Sequence, residues 1–176
     1  MLKKEINKLT ISAICLALCM YLPFLTGQIQ SIGEKLSPMH IPVFLCGFLC
    51  GARYAAIVGA VAPLMRFMFF GMPPLPIGMA MSFELLTYGI VAALLYHVFP
   101  KKACYIYLSL ILSMLVGRIV WGVVMWRISD LMFDVPFTFR AFLDGAFLLA
   151  WPGIVLHIAV VPPIVVVLKK AIPNTH

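Results

Sequence analysis

The chain has 176 residues, 64% of them hydrophobic and only 11% charged, with a formal net charge of +7. Soluble domains run near half apolar and a quarter charged, and the mean hydropathy here is +1.08, which excludes a soluble catalytic module, a nucleotide-binding fold or a zinc-finger domain. A membrane helix takes roughly 20 apolar residues, so the chain has room for about six spans and short loops.

In chain order, the first helix is expected over residues 9–25, behind Lys3, Lys4 and Lys8. No A-x-A site follows it, so it reads as an uncleaved span rather than a secretory signal. The outer loop Thr26–Ser37 comes next, the longest polar stretch, with Gly27, Gln28, Gln30, Gly33, Glu34 and Lys35. Helix 2 is short, about 39–52, with His40 at its start and Gly47 and Gly51 offering a groove for close backbone approach. Helix 3, about 54–70, repeats the device with Ala52, Ala56 and Ala60 and is expected to bend or end near Pro63. The segment Gly71–Gly78 (GMPPLPIG) places three prolines in four residues, which suggests an ordered loop or lid. Helix 4 covers about 79–98 and helix 5 about 104–126. An amphipathic interfacial segment, 127–142, precedes helix 6, about 143–168, with kinks expected at Trp151-Pro152-Gly153 and at Pro162-Pro163. The fold class is therefore all-α, a single integral-membrane domain over 1–176 with six transmembrane helices. No internal repeat is visible.

In this layout Lys3, Lys4, Lys8, Arg53, Lys101, Lys102, Lys169 and Lys170 share one side. The positive-inside rule makes that side, and both termini, cytoplasmic in a bacterial plasma membrane. The opposite loops carry the mixed set Glu34, Lys35, Arg127, Asp130, Asp134, Arg140 and Asp144. The basic balance thus reads as topology and not as a nucleic-acid site.

Three ionisable groups fall inside the spans: Arg66, Glu84 and Arg118. Each costs roughly 2.5 to 3.5 kcal/mol at a helix centre, so each must face protein or a wet cavity. They could form a structural pair tying helices 3, 4 and 5. Alternatively they line an outward-opening site in which one arginine pairs with Glu84 and the other accepts an anionic ligand. Tyr88, Trp121, Trp151 and His157 offer the flat apolar area and polar handles an organic ligand needs. Trp126 reads as interfacial belt and His40 as an interfacial histidine. Cys15, Cys19, Cys46 and Cys50 form two i, i+4 pairs without zinc spacing and read as packing residues. HExxH, GxSxG and Walker motifs are absent, so an enzyme on this chain and a resident cofactor are not expected, and any ATP dependence would come from partner subunits.

With its six-helix pattern and polar loop after helix 1, the chain resembles the substrate-binding S components of energy-coupling factor (ECF) vitamin transporters. The resemblance rests on Ala13-Ile14-Cys15-Leu16-Ala17, similar to the family's A-x-x-x-A motif, and on SPMHIPVFLCGFLCG followed by PLMRFMFFGMPPL. It implies a pocket among helices 4 to 6, capped by the loops after helices 1 and 3, that takes a vitamin-like micronutrient from outside. It further implies docking through Ala13 and Ala17 onto a transmembrane T component driven by two ATPase subunits. Pantothenate is the first guess, since it is small, polar and carboxylated and two arginines are available. The competing reading is a noncatalytic six-helix scaffold of the rod-shape type, whose charges only lock helices together.

Overall fold

The computed structural model describes residues 2–26, 35–132 and 137–171. The chain forms α1 (Leu2–Tyr21), a 3-10 turn (Leu22–Thr26), α2 (His40–Cys50), α3 (Ala52–Phe70), α4 (Leu75–Val98), α5 (Ala103–Met132), α6 (Phe139–Leu143), a π-helical turn (Asp144–Leu148) and α7 (Trp151–Ala171). Among the described residues, five helical stretches are long and apolar enough to cross a bilayer: 2–25, 52–70, 75–98, 103–131 and 139–171. The sixth, α2, is apolar but short. The protein is an all-α polytopic membrane protein.

α2 sets the architecture. Eleven residues rise about 16 Å, half a hydrocarbon core, and every α2 residue except Ile41 is buried. A helix that is apolar all round belongs in the middle of a bundle, and α2 packs against α1, α3, α4 and α7. Its close neighbours are set by glycines. A Cβ on Gly47 would come within 2.9 Å of the Gly89 carbonyl, and one on Gly89 within 2.7 Å of Ala55 Cβ. A Cβ on Gly59 would lie 2.6 Å from the Leu85 backbone, so α3 and α4 form an antiparallel pair in direct backbone contact. The small-residue face of α3 is therefore Ala55, Gly59 and Ala62, all buried, rather than the expected Ala52, Ala56 and Ala60. One residue turns a helix by about 100°, and the burial of Val58 on the same side fixes the rotation. Gly51 is no groove residue either: it takes φ 93 between α2 and α3 with nothing near its missing side chain.

The prolines disrupt less than their number suggests. α3 continues past Pro63 to Phe70, ending where Gly71 adopts φ 68 and donates its N–H to the Phe67 carbonyl at 2.8 Å. α4 begins at Leu75, so half of the expected lid is helix and only residues 71–74 connect α3 to α4. Pro76 sits in the first turn of α4 and Pro152 in that of α7, where the missing N–H has no partner to lose. The break expected at Trp151–Gly153 lies earlier, in the π-helical turn, and α7 runs unbroken through Pro162 and Pro163. α5 extends to Met132 and absorbs the first part of the interfacial segment. The polar loop residues 27–34, and residues 133–136, lie outside the described part of the chain.

Eight of the thirteen Lys and Arg residues, Lys3, Lys4, Lys8, Arg53, Lys101, Lys102, Lys169 and Lys170, lie near one end. Tyr54 at the start of α3 donates its hydroxyl to Glu5 near the start of α1 at 2.8 Å. Lys101 and Lys169 lie over the Tyr96 ring, 4.1 and 3.5 Å from its centroid. The antiparallel α3–α4 pair puts these two groups at the same end of the bundle.

Candidate functional site

Towards the opposite half of the bundle, four helices direct polar side chains into one buried cluster. α4 supplies Glu84 and, one turn on, Tyr88; α5 supplies Arg118, α7 supplies His157, and α2 begins with His40. All five are buried, Glu84 and His157 at 1% exposure. The Glu84 carboxylate is the hub. Its Oε1 meets Arg118 Nη1 at 3.2 Å and accepts from the Tyr88 hydroxyl at 2.6 Å, while its Oε2 stands 3.9 Å from His40 Nε2. Phe44 stacks on Tyr88 at 4.9 Å and forms an apolar wall that also meets His157 at 5.9 Å.

Two glycines make this arrangement fit. A Cβ on Gly117 would sit 2.2 Å from Tyr88 Cε1, so the residue before Arg118 must be bare for the tyrosine to lie flat against α5. Gly153 admits the segment before α2, since a Cβ there would come within 2.6 Å of the Lys35 carbonyl. With that segment seated on α7, the Ser37 carbonyl oxygen lies 3.0 Å from His40 Nδ1 and 3.2 Å from His157 Nε2. Ser37 itself has φ 43, a left-handed conformation uncommon for a residue with a side chain.

Buried polar groups are nearly always hydrogen-bonded. Among the described residues, three nitrogens in this cluster are buried without a hydrogen-bond partner: His40 Nε2, which keeps only its 3.9 Å ion-pair contact with Glu84, Arg118 Nε and His157 Nδ1. The cluster is thus paired around its carboxylate, while three of its nitrogens keep unused hydrogen-bonding capacity.

A family model described as ECF transporter, substrate-specific component, matches residues 7–169. The chain belongs to this family. No curated protein matches it, and no solved structure does. As an S component it is a membrane-embedded substrate-binding subunit and not an enzyme, and its family implies a small-molecule substrate and T and ATPase partners. On α1, Ala13, Ile14, Ala17 and Leu18 are exposed, whereas Ser12, Cys15 and Cys19 pack inward.

Of the residues expected at the site, Glu84, Tyr88, Arg118 and His157 come together. Arg66 does not. Its Nη1 donates to the Met20 carbonyl at 2.8 Å, and its guanidinium lies 5.4 Å from the Phe24 ring centroid and 5.5 Å from that of Phe70. It ties the end of α3 to the end of α1, where a cation suits the unpaired carbonyls of a helix terminus. Trp121 is also apart, packed over Gly145 and against Phe137 and Phe142 on the α5–α6 side. Trp151 is 62% exposed at the start of α7, because the break before it turns the first residue outward. Trp126 is exposed beneath Arg127, as an interfacial belt residue would be.

His40 is the residue that sequence reasoning placed wrongly, at the interface. The available signal was its helix: the first residue of a helix apolar on every side enters the core with it. Ser37 acts through its backbone carbonyl, for which no side-chain signal exists. Gly117 and Gly153 matter only through what faces them.

Proposed function

We propose that this S component captures a small, water-soluble vitamin-type nutrient at the Glu84 cluster from the outer side of a bacterial plasma membrane. It then delivers that nutrient with a T component docked on the Ala13 and Ala17 face and two cytoplasmic ATPases. ATP would be consumed by those partners, with no cofactor on this chain. The observation that carries the reading is the trio of buried nitrogens without a hydrogen bond around the Glu84–Arg118 pair. The gathering of cations at the other end supports cytoplasmic termini by the positive-inside bias, which turns the cluster towards the outside.

Pantothenate is the first compound to test. The charge count behind it changes, since Arg66 is engaged elsewhere and Arg118 is balanced by Glu84. Its two hydroxyls and its amide remain suited to the unpartnered nitrogens. Binding of radiolabelled pantothenate to the chain in lipid nanodiscs is expected to saturate near one per protein and to be lost in His157→Leu. Absence of binding would remove pantothenate, and co-purification of T and ATPase subunits from cells, abolished by Ala17→Trp, would test the partner half separately.

A further inference from the structure

Lys101 and Lys169 reach one aromatic ring from two different helix ends. The Nζ of Lys101, just past α4, lies 4.1 Å from the Tyr96 ring centroid, and that of Lys169, in the last turn of α7, lies 3.5 Å from it. Tyr96 is 7% exposed and meets Phe48 of α2 edge-on at 5.6 Å, which makes its ring a fixed platform. Lys101 also donates to the Tyr96 and His97 carbonyls and so closes the end of α4. Helix capping accounts for one cation at this ring and not for two. Each ammonium is attracted to the ring, yet the two repel each other, and Lys102 and Lys170, their neighbours in sequence, are exposed.

The acidic side chains of the chain do not answer this charge. Of the six, Glu5 shares the end with eight cations and is engaged by the Tyr54 hydroxyl at 2.8 Å and by Lys8 at 3.8 Å. Glu84 is committed to Arg118 in the opposite half, Asp130 stands at the far end of α5, and Asp144 follows α6. Glu34 and Asp134 fall in the loops expected at the opposite end. The counter-charge therefore comes from outside the chain. The surface beside the lysines is apolar: Leu94 and Val98, one turn apart on α4, are 55% and 76% exposed, and Val167 on α7 is 63% exposed. Ammonium groups above exposed apolar side chains at the ends of membrane helices match a phosphate headgroup above its acyl chains.

We propose that the Lys101–Lys169 pair on Tyr96 binds the phosphate of an anionic phospholipid of the phosphatidylglycerol type, whose acyl chains run along Leu94, Val98 and Val167. A zwitterionic headgroup is disfavoured, because its own cation would enter a region where eight cations face one acidic side chain. The site is independent of which nutrient the protein carries.

The test is native mass spectrometry of the full chain released from mixed micelles holding equal amounts of phosphatidylglycerol and phosphatidylcholine. One lysine near an anionic surface is worth about a fivefold preference, so Lys101→Gln/Lys169→Gln should lower the retained ratio of the two lipids by about 10- to 30-fold. Lys101→Arg/Lys169→Arg should keep the wild-type ratio, and Lys3→Gln/Lys4→Gln, which removes two charges from the same end, should change it by no more than about twofold. Equal retention of the two lipids by the wild type would overturn the proposal, as would a fall of less than about threefold in the folded glutamine pair or an equal fall in the Lys3/Lys4 variant. Displacement of the lipid by millimolar inorganic phosphate would mark a free-anion site instead. Loss of ATPase-subunit capture in the glutamine pair, with no lipid preference in the wild type, would assign the lysines to a protein partner and overturn the lipid site. If the glutamine pair does not fold, the wild-type ratio and the Lys3/Lys4 variant still decide.

Discussion

Two arginines lie inside this helical bundle, Arg66 at 4% exposure and Arg118 at 7%, and their surroundings are built on different principles. Arg66 is held by a backbone carbonyl at the end of α1 and two phenylalanine faces, all of them structural groups. Arg118 is paired with a buried carboxylate that two other side chains also approach, and its Nε is left open. Burial of a charge marks a residue that needs partners; the kind of partner tells a helix tie from a site. The sequence presents both as intramembrane cations at equal cost, and only the fold separates them.

The largest expected effect follows from the Glu84–Arg118 pair. Arg118→Met strands the carboxylate and Glu84→Gln strands the guanidinium, and breaking a buried pair from one side costs about 3–5 kcal/mol. Unfolding by SDS titration should show each single variant destabilised by that order. The double variant Glu84→Gln/Arg118→Met should recover most of the loss, because neither charge is left alone. A double variant as unstable as the sum of the singles would mean that the pair does not act as a unit.

Gly117→Ala comes next. Its Cβ would overlap the Tyr88 ring, so overpacking of about 1–3 kcal/mol is expected, with weaker ligand binding as the Tyr88–Glu84 contact shifts. Unchanged binding and stability would show that Tyr88 has room to move. Arg66→Met should cost about 1–3 kcal/mol by leaving the Met20 carbonyl unpaired, yet ligand affinity measured by titration in nanodiscs should stay within about twofold. A large loss of affinity in a folded Arg66→Met protein would return Arg66 to the site.

The smallest effects belong to the exposed residues. Ala13→Leu and Ala17→Leu lie on the open face of α1 and should change stability by no more than about 0.5 kcal/mol. Transport by the assembled complex should nevertheless fall. Trp151→Ala should leave binding unchanged, since the side chain is largely exposed.

Much of the fold is legible in the sequence because apolar run length reports directly on membrane spans. Helix ends are less legible around proline. Pro76 and Pro152 look like breakers but start helices, and only the positions of their neighbours in space show which turn they occupy. Rotation about the helix axis is not legible where every face is apolar, so Ala52, Ala56 and Ala60 could not be told from Ala55, Gly59 and Ala62. At the site, Glu84, Tyr88, Arg118 and His157 stand out as costly or amphipathic groups within spans. His40 does not, because a histidine at a helix start is ordinary at an interface and becomes a core residue only when its helix is buried whole. The Ser37 carbonyl is a backbone atom, placed by Gly153 and by the chain path before α2.

One comparison addresses the site as a whole: mass spectrometry of small molecules released from the wild-type protein and from the folded Glu84→Gln/Arg118→Met variant, both purified in mild detergent. A polar metabolite near one per wild-type chain and its loss from the double variant is the expected result. The same metabolite held equally by both proteins, or none held by either, would contradict a substrate site at the Glu84 cluster.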